Sequence, residues 1–173
     1  PARAGLACRR PFGVCSLPRP RRPVPAPLPA RMRVLCAGDL HIGRRPSRLP
    51  RHVDPRPLSC ADAWERLVEH ALDARADVVA LAGDLVDRAN RFFEALGPLE
   101  RGVRRLAGAG IVTVAVAGNH DHDVLPQLAR ALAPALPDGA FRLLGAGGRW
   151  ERTTITRGAA RLHVDGWSFP AEH

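Results

Sequence analysis

Three short apolar runs in this chain end the same way, and this shared ending limits the fold more than any other feature. Val34-Leu-Cys-Ala37 runs into Gly38-Asp39, Val78-Val-Ala-Leu-Ala82 into Gly83-Asp84, and Ile111-Val-Thr-Val-Ala-Val116 into Ala117-Gly118-Asn119. Runs of this length and apolarity read as strands buried on both faces, since one wet face would impose alternation. Helical spacing fills the gaps between them. Strand–helix–strand–helix–strand with such strands predicts an α/β fold with a parallel sheet covered on both faces. Ligands of open parallel sheets bind beyond the carboxyl ends of the strands. The residues immediately after each glycine are therefore the first candidates for function.

The connecting helices are legible from their apolar positions. Ala61, Trp64, Leu67, Val68, Ala71 and Leu72 line one face, with Ser59 or Asp62 available as the cap. Phe92, Phe93, Leu96, Leu99, Val103 and Leu106 line a second, expected to kink or split at Gly97-Pro98. Val124, Leu125, Leu128 and Leu132 suggest a third that stops before Pro134 or Pro137. Beyond it the pattern changes, and 150–156 and 162–167 read as paired strands around Arg157-Gly158.

Charge is unevenly spread along the 173 residues. The net charge is +9 and all 26 basic residues are arginine. Residues 1–31 hold seven arginines, eight prolines and no acid, whereas residues 32–173 carry nineteen arginines against seventeen acids. Proline at that density removes backbone donors and fixes φ, so 1–31 is expected to be a disordered Pro/Arg-rich extension. Arg9-Arg10-Pro11-Phe12 has no apolar stretch after it to make an export signal, and Ser16 is too isolated for a transit peptide. Met32, the sole methionine, is expected to be the native start, with 1–31 non-native and 32–173 forming the domain. Cys8, Cys15, Cys36 and Cys60 form no CxxC pair, which fits a reducing cytoplasm. No apolar run has the length a membrane span needs.

The strand ends carry the chemistry. Asp39 and His41 stand two apart, as Asp84 and Asp87 stand three apart, and Gly118 precedes Asn119, His120 and Asp121. In extended backbone, residues two apart point the same way, so Asp39 and His41 can converge on one ion. Carboxylate oxygen with imidazole nitrogen suits Mn²⁺, Fe²⁺ or Zn²⁺. Taken singly, each of these residues also fits a turn or a cap. Following three successive strands in this order, they point to a metal centre.

Asp39-x-His41, Gly83-Asp84-x-x-Asp87 and Gly118-Asn119-His120-Asp121 resemble the first three motifs of the calcineurin-like metallophosphoesterase superfamily. The wording Met32-Arg-Val-Leu through Gly38-Asp-Leu-His-Ile-Gly43, and the stretch from Phe92 to Asp121, further resemble bacterial SbcD-type DNA-repair exonucleases. The resemblance covers about residues 32–169 and implies a truncated α-β-β-α sandwich. Its sheet would be mixed, with a βαβαβ start and helices on the outer faces. It implies two divalent ions, Mn²⁺ first, with Fe²⁺, Zn²⁺ or Mg²⁺ as alternatives. Asp39 and His41 would bind one ion, Asp84 would bridge, and Asn119 would bind the other. His120 would contact the scissile phosphate and help protonate the leaving oxygen, with Asp121 orienting it by a hydrogen bond. Asp87 stays open between a site role and a loop or capping acid.

Later motifs of the family, a Gly-His and a Gly-His-x-His, have no counterpart here. Past residue 121 the histidines are His122, His163 and His173, and none follows a glycine. The chain is therefore expected to be the N-terminal portion of a catalytic domain, binding metal weakly by itself. Arg44, Arg45, Arg48, Arg51 and Arg56, with His52, follow the first motif and meet only Asp54. They are expected to track a nucleic-acid backbone, the alternative being a solvated loop. The leading expectation is a Mn²⁺-dependent DNA exonuclease or endonuclease. The alternatives are a phosphatase acting on small phosphoesters or phosphoproteins, and a non-catalytic fragment. By resemblance the partners would be DNA and an SbcC-like ATPase, with no membrane.

Overall fold

A computed structural model of the chain describes residues 31–44, 49–50, 52–54, 58–88 and 91–171. The extension 1–30 and Arg45, Arg48, Arg51 and Arg56 lie outside the described residues. Four parallel strands form the main sheet in the order β1 (Val34–Ala37), β2 (Val78–Ala82), β3 (Val112–Val116), β4 (Phe141–Leu143). Between them run α1 (Cys60–Asp73), α2 (Phe92–Gly108) and α3 (Leu125–Leu132). A hairpin of β5 (Glu151–Arg157) and β6 (Ala160–Gly166) follows, paired antiparallel.

The strands alternate between two cores even though both faces are apolar. Val79, Leu81, Ala115 and Ala117 pack with the buried faces of all three helices, including Trp64, Val68, Leu99, Val103, Leu125 and Leu128. Val78 and Val114 face the other way and pack with Leu144 and Ile155, flanked by Leu162 and Val164 of the hairpin. Among the described residues the layers are thus helices, parallel sheet, hairpin. The α/β architecture expected from the sequence is present. Two sheets packed face to face, one parallel and one antiparallel, supply the two β layers of the expected sandwich, and the described helices cover one outer face.

Two helices differ instructively from their sequence reading. Ser59 caps α1, its hydroxyl accepting the Asp62 N–H at 3.1 Å. That contact selects it over Asp62 as the cap. The second helix runs unbroken through Pro98. The Pro98 carbonyl accepts the Trp64 indole N–H at 2.9 Å, so α1 braces α2 where proline removes a donor. Close packing demands a glycine one turn further on, since a Cβ on Gly102 would stand 2.5 Å from Trp64 Cε2. The third helix ends at Leu132 and passes into a short 3-10 turn containing Pro134. Strand β4 was not legible in the sequence. It is three residues long with Arg142 at its centre, and its register is set by pairing with Thr113–Ala115.

Candidate metal centre

Beyond the last paired residues of β1 and β2, the two chains stay zipped together. The Asp39 N–H donates to the Gly83 carbonyl at 3.2 Å, His41 N–H to the Asp84 carbonyl at 2.9 Å, and Ile42 N–H to the Leu85 carbonyl at 2.7 Å. Ile42, Leu85 and Val86 are fully buried and anchor this extension. Along it, Asp39, His41 and Asp84 take left-handed φ values of 54°, 46° and 50°. Non-glycine residues seldom adopt that region, although Asp and His tolerate it better than most. The left-handed turns bring the three side chains to one place. Their ligating atoms all lie within 4.8 Å of one another.

The loop after β3 closes on the same point. Gly118 lies so near Asp84 that a Cβ there would stand 2.6 Å from Asp84 Cγ. The His120 N–H donates to Asp84 Oδ1 at 3.0 Å, tying the third motif to the second. His120 and His41 meet edge to face, their ring centroids 5.1 Å apart. Asn119 lies between Gly118 and His120, and its carbonyl pairs with His122 Nδ1 at 3.1 Å. Arg44 is exposed, and its N–H donates to the His41 carbonyl at 2.9 Å. Burial pushes the Cys60 thiol pKa up, with Arg44 pulling it down and Asp87 adding to the rise.

Asp87, left open by the sequence, belongs to this cluster. Its Oδ1 is 3.4 Å from His41 Nδ1, and Asp87, His41 and His120 form a second group whose ligating atoms lie within 4.8 Å. The Asp-x-x-Asp spacing carried the signal, but only the turn after β2 shows which way the second carboxylate points.

Asp121 does something other than expected. It is fully buried, with Oδ1 accepting the Gly118 N–H at 2.7 Å and Oδ2 accepting those of Leu85 and Val86 at 2.7 and 3.3 Å. His120 Nδ1 has no hydrogen-bond partner, so the expected bond from Asp121 to that imidazole nitrogen is absent. Three backbone amides hold this carboxylate. It instead staples the β2 and β3 loops together and so positions Asp84 and His120. Burial raises its pKa, against the lowering effect of the three amides, with Asp84 adding a smaller upward push. Ser168 had no local sequence signal and makes a similar staple. Its hydroxyl accepts the Ala117 N–H at 2.8 Å and donates to the Leu144 carbonyl at 2.6 Å.

The residues present suit a divalent cation. His41 Nδ1 and His120 Nδ1 are buried without a hydrogen bond, a costly state for polar atoms unless a further partner is held there. His41 Nδ1 approaches Asp87, but not in hydrogen-bond geometry. Two carboxylates and an imidazole also make the mixed oxygen–nitrogen set that Mn²⁺, Fe²⁺ and Zn²⁺ accept.

The profile of the calcineurin-like phosphoesterase family matches residues 32–166. The DNA double-strand break repair protein Mre11 of Haloferax volcanii is 41% identical over 90 residues, which are 51% of this chain and 19% of that protein. Mre11 of Aeropyrum pernix is 36% identical over 89 residues, 51% of this chain and 21% of that protein. The uncharacterized metallophosphoesterase YhaO of Bacillus subtilis is 36% identical over 90 residues, 50% of this chain and 22% of that protein. The chain thus matches about a fifth of the length of these relatives.

Proposed function

The chain belongs to the calcineurin-like phosphoesterase family, and from that premise we propose that it carries part of a metal-dependent nuclease site that hydrolyses DNA phosphodiesters. The observation that carries this reading is the convergence of Asp39, His41 and Asp84 beside His120, on loops from three adjacent strands. The Mre11 relatives supply the substrate class, as their name describes DNA double-strand break repair proteins.

In this proposal Asp39, His41, Asp84 and Asn119 hold two divalent cations, with Mn²⁺ the first candidate. Such cations supply electrophilic polarisation of the phosphoryl oxygens. His120 contacts the scissile phosphate and delivers a proton to the departing oxygen. Asp87, its Oδ1 3.4 Å from His41 Nδ1, adds a carboxylate to the edge of the centre. Asp121 acts through the backbone, keeping Asp84 and His120 in register. Arg44, with Arg45, Arg48 and Arg51, neutralises backbone phosphates outside the centre. The domain is proposed to begin at Met32, to work in the cytoplasm and to engage an SbcC-like ATPase. The free Cys36 and Cys60 accord with that setting.

The test is hydrolysis by the 173-residue chain with Mn²⁺, comparing an end-labelled DNA oligonucleotide with bis(p-nitrophenyl) phosphate. Metal-dependent cleavage of the oligonucleotide is expected. His120→Asn should lower kcat about 10²–10⁴-fold, the range for a lost general acid. Cleavage of the aryl diester alone would replace the nuclease with a small-phosphoester hydrolase. Metal binding without cleavage of either would leave a non-catalytic fragment.

A further inference from the structure

The segment Gly166-Trp-Ser-Phe169 has no role in the centre described above, yet it is bonded to the loop that bears it. The Phe169 N–H donates to the Ala117 carbonyl at 3.1 Å, and the Ser168 N–H to the Gly145 carbonyl at 3.2 Å. Ser168 is buried and its hydroxyl ties the ends of β3 and β4. Trp167 and Phe169 flank this buried Ser168. Both are partly exposed, and their rings meet at 5.1 Å between centroids with planes 62° apart. The hairpin adds a third aromatic. Trp150, 77% exposed, directly precedes Glu151, whose partner Gly166 directly precedes Trp167. The chain has eight aromatic residues in all, three Trp and five Phe, so three at one corner is a concentration. That corner lies at the carboxyl ends of the strands, where Ala117 is three residues from His120.

Resting on the phosphodiester reading, we propose that Trp167 and Phe169, with Trp150 beside them, form a platform that stacks an unpaired nucleobase next to the scissile phosphate. Aromatic faces bind single-stranded bases without regard to sequence, because every base offers a π-face. The buried Ser168 keeps the platform rigid relative to the His120 loop, so the stacked base and its phosphate are held in one geometry. The site is thereby biased toward unpaired ends and single strands, since a base inside a duplex cannot reach an aromatic face.

NMR of the ¹⁵N-labelled 173-residue chain with Mg²⁺ tests this, using dithymidine monophosphate, thymidine and dimethyl phosphate as probes. Both base-bearing probes are expected to shift the Trp167 indole signal, while dimethyl phosphate shifts only backbone signals around His41 and His120. Trp167→Leu is expected to weaken dithymidine monophosphate binding about tenfold, the size of one stacked base, with dimethyl phosphate unaffected. Trp167→Phe, which keeps a ring, should retain most of the affinity, separating stacking from a loss of fold. If neither base-bearing probe moves Trp167, or Trp167→Leu binds the dinucleotide as the native chain does, the platform is refuted. If thymidine moves Trp167 while dimethyl phosphate leaves His41 and His120 untouched, the platform stands and the phosphodiester reading fails.

Discussion

Asp39, His41 and Asp84 hold left-handed backbone, and each is a residue the sequence nominates as a ligand. Strain of that kind is worth about 1–3 kcal/mol per residue, and the ladder from Asp39 to Leu85 with its buried Ile42 and Val86 offsets it. Two substitutions separate strain from staple. At Gly118 a methyl group would displace the Asp84 carboxylate from its place. Gly118→Ala is expected to weaken Mn²⁺ affinity at least tenfold by calorimetry while the circular dichroism spectrum persists. An unchanged affinity would show that Asp84 is not positioned by this contact. Asp121→Ala leaves the amides of Gly118, Leu85 and Val86 without their acceptor in a buried place. It should destabilise the fold by about 3 kcal/mol in urea unfolding. A loss below about 0.5 kcal/mol, the scale of ordinary surface substitutions, would refute its role as a staple.

The helices show how one contact decides an element's fate. Proline inside α2 removes a backbone donor, and the sequence alone argues for a break. Trp64, fully buried on α1, supplies an indole donor to the Pro98 carbonyl and rests on the bare backbone of Gly102. Gly102→Ala would put a Cβ into that ring, and overpacking of this kind costs about 1–3 kcal/mol. The shift in urea midpoint checks this, and Trp64→Leu should restore much of the loss in the double variant, as coupled neighbours do. Additive losses would mean that the two residues do not share this contact. The hairpin was legible because its strands alternate around Arg157-Gly158. Strand β4 was not, because three residues carry too little pattern and their conformation is set by the neighbouring β3.

At the scale of the whole molecule, the centre exists only because loops from three strands lie side by side, so metal binding and folding should be linked. Mn²⁺ at a hundred times its dissociation constant should add about 2.7 kcal/mol of stability, or roughly 5–10 °C in Tm for a chain of this length. Differential scanning fluorimetry measures it, EDTA should reverse it, and His41→Ala or Asp84→Ala should abolish it. An undiminished shift in both variants would place the ion elsewhere. Much of this molecule was readable in advance. The strand–helix alternation and the glycines at the strand ends, with the candidate residues that follow them, are properties of short stretches, and short stretches carry their own periodicity and chemistry. The tertiary structure decided the rest. It turned Asp121 toward three amides and away from His120, brought Asp87 to His41, carried α2 past Pro98 and set the hairpin against the sheet as a separate layer. Each of those outcomes depends on contacts between residues far apart in sequence. Asp121 and Leu85 are 36 positions apart, Trp64 and Pro98 are 34, and Ser168 and Ala117 are 51. No local pattern encodes which partner a side chain meets when the intervening chain closes.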